Sequence, residues 1–491
     1  MAGAFRREPV RSWFMLRLAA CSALTALSVL FCPAALAAPR LGVPAADAAL
    51  LRAKVPADAM VAIVQEVGSS RPRLRWQADQ PVNPASLMKL FTTQAALELL
   101  GATWSWSTPV WLNGAIVEGV LEGDVVIKGT GDPKLVIERL WLLLQRVQQR
   151  GVREIHGDIV LDRSAFLVPE RDPAEFDNEP LRPYNVRPDA LLLNFRALQV
   201  MLEPDLARAV AHVTTEPPLD GVRVDSVVPL NAGPCNDWRE GLKPDFGDAA
   251  RLRWGGSLPL ACGAKSFSIA YPEPKRYDGR LLAQMWRAMG GRLSGSVREG
   301  SAPAVPPSFE MLSPTLPEVI RDINKFSNNV MAEQLFLTLG LQGAGVGSPE
   351  TARIAMHRWL QDRFGSSAET TVVDNGSGLS REGRVSARLL AALLQSVWAG
   401  PLMPELISSL PLAGLDGTLR RSHATPGRGH LKTGSLRDVA AVAGYVLGQS
   451  GRRYVVVAII NHPNANAARP ALEALIDWAI DDAGEHPSAG R

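Results

Sequence analysis

The chain has 491 residues, 46% of them hydrophobic and 21% charged, with a formal net charge of +3 at pH 7. That length exceeds one simple core and predicts two or three domains, and the composition excludes a disordered chain. So small a net charge, with no Lys/Arg stripe carrying interleaved aromatics, excludes a nucleic-acid binder.

The first residues place Arg6, Arg7, Arg11 and Arg17 ahead of an apolar run from Leu18 to about Phe31, and Ala35-Leu36-Ala37 then supplies small residues for cleavage. Residues 1–37 read as a secretory signal peptide, so export to the periplasm is expected. The alternative, a membrane anchor, needs roughly 18 apolar residues, more than this run has. No later run is long enough to span a bilayer, which leaves at most peripheral membrane association. Cys21 and Cys32 would leave with the signal. Cys235 and Cys262 remain, an even pair in an oxidising compartment, and predict one disulfide; two buried free thiols are the alternative. The seven histidines are scattered, with no HExxH and no CxxC, so neither metal nor cofactor is expected.

Residues 45–55 have helical character, and "MVAIVQEV" and "RPRLRWQAD" read as two strands around a turn. Pro84 then opens a helix with apolar residues at Leu87, Leu90, Phe91, Ala95 and Leu99, which Gly101 ends. From about 104 to 290 the texture is mostly β: short alternating strands, Gly punctuation and Pro-rich connectors, with one strong helix in "KLVIERLWLLLQRVQQRG". "DGRLLAQMWRAMGG" reads as a helix returning to the first domain. From 314 the chain is helical again, with Ser386 as an N-cap for "ARLLAALLQSVW". Three adjacent strands follow, "GHLKTGSLR", "VAAVAGYVLGQ" and "RRYVVVAIINHP", then a last helix and a flexible tail at 484–491. The expected class is α/β in the broad sense, a multidomain α+β protein. One domain comprises 38–103 and 291–483, interrupted by an inserted region of one or two subdomains at 104–290.

Three short segments carry chemistry. In "NPASLMKLFTT", Ser86 and Lys89 stand one helical turn apart on one face. A serine hydroxyl needs a base within hydrogen-bond reach, and lysine serves as one only when desolvation or nearby positive charge lowers its pKa. One or two such S-x-x-K matches arise by chance in a chain of about this length, so the pair alone also reads as helix surface. In "KFSNNVMAE", Ser327 and Asn329 flank a helix junction, where a hydroxyl can pass protons and an amide can meet a substrate carbonyl; an ordinary N-cap is the alternative. In "HLKTGSLR", Lys432 and Thr433 can hold a carboxylate. Gly434 leaves room for a substrate backbone to lie alongside, and the next amide can face an oxyanion.

In this order, S-x-x-K, S-x-N and K-T-G form the signature set of active-site serine penicillin-recognising enzymes. The chain resembles the low-molecular-mass class C penicillin-binding proteins, D-alanyl-D-alanine carboxypeptidase/endopeptidases of the DacB type. "DNGSGLSR" at 374–381, "PLAGLDGTLRR" at 411–421, "GTGDPKL" at 129–135 and "RPYNVRPDALLLN" at 182–194 add to the resemblance. So does the gap of about 240 residues between Ser86 and Ser327, which leaves space for the insertion of that class.

The resemblance implies a penicillin-binding/β-lactamase-like transpeptidase domain, an antiparallel sheet flanked by helices, with a large mostly β insertion. It implies peptidoglycan stem peptides ending in D-Ala-D-Ala as substrates and β-lactams as covalent inhibitors. Ser86 would be the acylated nucleophile and Lys89 its base, with Ser327 relaying protons and Asn329 orienting substrate. Lys432 would tune the field, and Thr433 and Ser435 would bind the terminal carboxylate. The backbone N–H groups of Ser86 and Ser435 would form the oxyanion hole. Arg381 would contact the stem-peptide side chain, and Arg437 is a departure that adds positive charge there. Asp177 reads either as a reader of a substrate amine or as a solvated loop carboxylate. A β-lactamase or esterase using the same residues, and a catalytically idle wall-binding protein, are the rival readings.

Overall fold

The three strands near the C-terminus join the two near the start in one antiparallel sheet. In a computed structural model, which describes residues 40–482, its order is Gly429–Leu436, Val439–Leu447, Arg453–Asn461, Met60–Glu66, Pro72–Trp76. The predicted signal peptide (with Cys21 and Cys32) and the predicted tail lie outside the described residues.

The two-residue alternation of a strand explains why runs such as "VVVAII" are apolar throughout: both faces of this sheet are covered. Val61, Ile63, Val455 and Val457 pack under helices Met88–Leu99, Leu316–Phe326, Asn329–Ala344 and Ala387–Trp398. Ala62, Val64, Val456 and Ala458 face helices Pro44–Arg52 and Arg469–Ile480 on the other side. Each fully buried Val or Ile contributes about 1.5–3 kcal/mol, so this sandwich is a firm support. The helix Leu316–Phe326 starts on a capping box of Thr315 and Glu318, and helix Ala387–Trp398 on Ser386, as predicted.

A second core is built on the long hairpin Ser107–Val117 and Val120–Lys128. Its sheet does not stop at residue 290. Strands Arg292–Leu293 and Val297–Glu299 join it, and Phe309–Leu312 pairs antiparallel with Ser107–Val110. This explains one departure from the sequence reading. Helix Pro274–Ala288 does not return to the first domain; Tyr277, Leu281, Leu282 and Trp286 bury in the second core, because the strands that close its sheet still lie ahead in the chain. Cys235 and Cys262 are disulfide-bonded at the edge of this core, 27 residues apart.

Segment 163–196 ties this region to the helices of the first core. Arg163 and Arg196 each pair with both Asp189 and Asp278 at 2.6–2.8 Å. Gln334, fully buried on helix Asn329–Ala344, holds the backbone N–H and carbonyl of Asp189 at 2.8 and 2.9 Å. Among the described residues no helix is long and apolar enough to cross a membrane.

Candidate active site

Ser86 sits in a 3-10 turn, Ala85–Leu87, that runs directly into helix Met88–Leu99. The turn is bolted from three sides. The Asn83 N–H donates to the Asn461 side chain at 2.8 Å, the Asn83 amide donates to the Ser380 carbonyl at 2.9 Å, and the Ala85 N–H donates to the Asn83 side chain at 2.9 Å. Ala85 has φ +46°, and Ser327 is also left-handed at φ +55°. The residue before one serine and the other serine itself thus hold a backbone conformation that L-residues populate rarely, of the kind that clusters at functional sites.

Lys89 is fully buried. Its Nζ lies 3.0 Å from Ser86 Oγ and donates to Asn329 Oδ1 and to the Ser377 carbonyl, both at 2.6 Å. Two acceptors that cannot donate take up the two hydrogens of a neutral amine, and its lone pair is left for the Ser86 hydroxyl. Burial pulls Lys89 down to about 7, against the field of Glu333, which favours its charged form. Lys432, also fully buried, donates to Ser327 Oγ at 2.8 Å and to the Thr433 carbonyl at 2.6 Å. Burial first, and then the charge of Lys89, holds it well below the ordinary lysine range.

The ordinary N-cap at the second motif falls to Asn328, whose side chain accepts from the Met331 N–H. Ser327 and Asn329 are thereby left for the two lysines. The Lys-Thr-Gly strand is an edge of the sheet. The Leu431 N–H turns outward to the Pro411 carbonyl, so the two-residue alternation aims the N–H groups of Thr433 and Ser435 at the same free edge. Gly434 has a second reason to be glycine besides the one expected. A Cβ there would stand 2.7 Å from the Pro84 carbonyl and 3.3 Å from Ala85 Cβ, so the glycine also admits the turn that carries Ser86.

Ser86, Ser327, Asn329, Thr433, Ser435, Arg381, Arg437 and Asp177 all line one cleft of about 940 Å³. Lys89, Lys432 and Gly434 are buried in its walls. The Arg381 guanidinium lies 4.9 Å over the Phe176 ring and 3.1 Å from Asp438. Asp177 accepts from Tyr184 OH and Asn185 Nδ2, both at 2.8 Å. The disulfide lies elsewhere, in the second core.

The sequence-model match for the D-Ala-D-Ala carboxypeptidase 3 (S13) family spans residues 45–481. The chain belongs to that family. It is similar to the D-alanyl-D-alanine carboxypeptidase of Actinomadura sp., 29% identical over 430 residues that cover 82% of this chain and 77% of that one. It is similar as well to the D-alanyl-D-alanine carboxypeptidase DacB of Haemophilus influenzae, 27% identical over 400 residues covering 77% and 80%. The crystal structure of penicillin binding protein 4 (dacB) from H. influenzae shares the fold, with a TM-score of 0.68 at 24% identity, over 85% of this chain and 96% of that one. The expected family and fold class are borne out.

In this S13 protein, groups the motifs did not name stand behind and beside the cleft. Glu333 accepts from Ser377 Oγ at 2.9 Å, and Ser377 is the residue whose carbonyl holds Lys89. Burial pushes Glu333 up to about 7. The signal was present in "SNNVMAE": Glu333 is four residues after Asn329 and so shares its helix face. Thr418, in the 3-10 turn Gly417–Leu419, and Arg469, at the start of helix Arg469–Ile480, border the cleft against Thr433 Oγ1 at 2.7 Å and Ser435 Oγ at 2.6 Å. Nothing in their sequence spacing pointed there.

Proposed function

We propose that this S13 carboxypeptidase cleaves the terminal D-Ala-D-Ala bond of peptidoglycan stem peptides through an acyl-enzyme on Ser86. The observation that carries the reading is the Lys89 amine, buried among two carbonyl-type acceptors with its remaining position toward Ser86 Oγ at 3.0 Å. Lys89 takes the Ser86 proton as Oγ bonds to the carbonyl carbon. The N–H groups of Ser86 and Ser435 receive the developing oxyanion. Ser327, held by Lys432, passes a proton to the departing amine; the C–N bond breaks and D-alanine leaves. Water then adds to the ester, and Ser86 regains its proton as the shortened peptide departs. Asn329 orients the substrate amide, and Thr433 and Ser435 bind the terminal carboxylate.

The same steps on a D-alanyl cross-link would be the endopeptidase activity. A β-lactam presents a strained amide in the same place, so it acylates Ser86. Arg381 and Asp177, on one wall of the cleft, read the side chain of the stem peptide, and Arg437 biases that reading toward acidic groups. Export to the periplasm by the N-terminal signal places the enzyme where its substrate lies. The pairing of Phe309–Leu312 with Ser107–Val110 supports a catalytic half of 40–103 and 313–482 with an insertion of 104–312. The test is labelling with a fluorescent penicillin: a single covalent adduct on wild-type protein and none on Ser86→Ala. Undiminished labelling of that variant refutes the assignment.

A further inference from the structure

A carboxylate bound out of water needs positive charge close by, and Thr433 and Ser435, the residues the proposed function gives it, supply none. Thr433, Ser435 and the neighbouring Thr418 offer neutral hydroxyls. The two lysines of the site are fully buried and engaged, Lys89 with Asn329 and Ser377, Lys432 with Ser327 and the Thr433 carbonyl. Burial disfavours the charge on both.

Arg469 lies where that charge is missing. It is the first residue of helix Arg469–Ile480 and lines the cleft together with Ser86 and Ser435. Its Nη2 donates to Ser435 Oγ at 2.6 Å and to Asn466 Oδ1 at 2.9 Å, and its Nε donates to Asn466 Oδ1 at 3.2 Å. Asn466 is itself fixed, donating to the carbonyls of Leu436 and Arg437 at 2.9 and 3.0 Å. Among the described residues no carboxylate pairs with Arg469. An exposed guanidinium held at both Nε and Nη2 by a neutral amide, beside the serine of the Lys-Thr-Gly strand, is pre-oriented and has donors to spare.

We propose that Arg469 is the charged anchor for the free C-terminal carboxylate of the substrate, completing the pocket that Thr433 and Ser435 begin. The assignment rests on the carboxypeptidase reading above. It makes Arg469 a specificity residue for peptides that end in a free acid, and leaves the chemistry to Ser86 and Lys89.

The experiment compares kcat/KM on an N-acylated tripeptide ending in D-Ala-D-Ala with that on the same peptide ending in D-alaninamide. Wild-type enzyme prefers the acid. Arg469→Gln loses about 10- to 100-fold on the acid, the range expected for one charge-assisted hydrogen bond, and stays within about twofold on the amide, so the preference collapses. Arg469→Lys, which keeps the charge without the fork, recovers part of it. An Arg469→Gln enzyme that retains the acid preference overturns the proposal. So does one that loses both substrates equally, since that is the signature of a prop for Ser435. Either result leaves the parent reading standing, because the leaving amine is still released by wild-type protein. Wild-type protein that cleaves neither peptide overturns both.

Discussion

Gly378 is 292 residues from Ser86 in sequence, yet replacing it should displace the turn that carries Ser86. Its φ is +77°, and a Cβ built on it would stand 2.0 Å from the Ala85 carbonyl oxygen, 2.6 Å from that carbonyl carbon and 3.1 Å from Met88 Cβ. A carbon–oxygen contact settles near 3.3 Å, so Gly378→Ala must push the two segments apart by more than about 1 Å. The left-handed backbone costs an alanine about 1 kcal/mol, and overpacking a filled site about 1–3 kcal/mol more. A total of about 2–4 kcal/mol should lower the melting temperature by several degrees. The larger consequence is positional. The carbonyl displaced belongs to the residue before Ser86, and the residue before Gly378 is Ser377, whose carbonyl orients Lys89 at 2.6 Å. The shift therefore falls between Lys89 and Ser86, the proposed base and nucleophile, where about 1 Å of misplacement costs on the order of 100-fold in rate. The assay is the time course of fluorescent-penicillin labelling beside a thermal melt, with Gly343→Ala as control. Gly343 lies in helix Asn329–Ala344 with nothing within 4 Å of its would-be Cβ, so alanine there should be neutral or slightly stabilising. Wild-type labelling and melting in Gly378→Ala would refute the reasoning.

Two more outcomes follow from the same geometry. If Lys89, pulled down to about 7 by burial, is the base as proposed and acts only when neutral, acylation should fall about tenfold per pH unit below that value. Glu333→Gln removes the negative charge that favours protonated Lys89, so the acid limb should move to lower pH; a limb that stays put or moves up disproves the coupling. Replacing Cys235 and Cys262 together by serine should cost about 3.5 kcal/mol by the loop-entropy model for 27 residues, measured by urea unfolding. Penicillin labelling of the folded fraction should be unchanged, since the disulfide belongs to the second core; a loss of labelling at low denaturant would show that core to be coupled to the cleft.

The sequence revealed most where periodicity and motif agreed. Strands such as 453–461 are apolar on both faces because they are central, and Ser386 caps its helix as its position promised. The S-x-x-K spacing announced the contact between Ser86 and Lys89, since one helical turn brings such residues together whatever the tertiary fold. What stayed hidden depends on chain segments that meet only in space. Gly434 gave no sign that the turn at Pro84 would press against it. Helix Pro274–Ala288 has an apolar face that fits either core, and only the later strands decide which. The short helix Met403–Ser409 has too few turns to show a period. Ser327 gave no hint of its left-handed backbone, which its place between two helices imposes.

The burial of two lysines explains why the site draws on so many segments. A desolvated ammonium is costly, and the protein meets that cost by letting the charge go rather than by pairing it: neither Lys89 nor Lys432 touches a carboxylate. A direct salt bridge at Lys89 would have kept the proton on the amine and ruled out the proposed role as base. The carboxylate that does act on it, Glu333, stands one residue removed, through Ser377, and is itself held near neutrality by burial. Its distance matters for the proton on Lys89. Closer, it would fix Lys89 as a cation; where it stands, it only opposes in part the burial that pulls Lys89 down. The neutral acceptors needed around Lys89 come from Asn329 and from the Ser377 carbonyl, on separate segments. That is why a buried amine one turn from its serine still requires residues some 240 and 290 positions away.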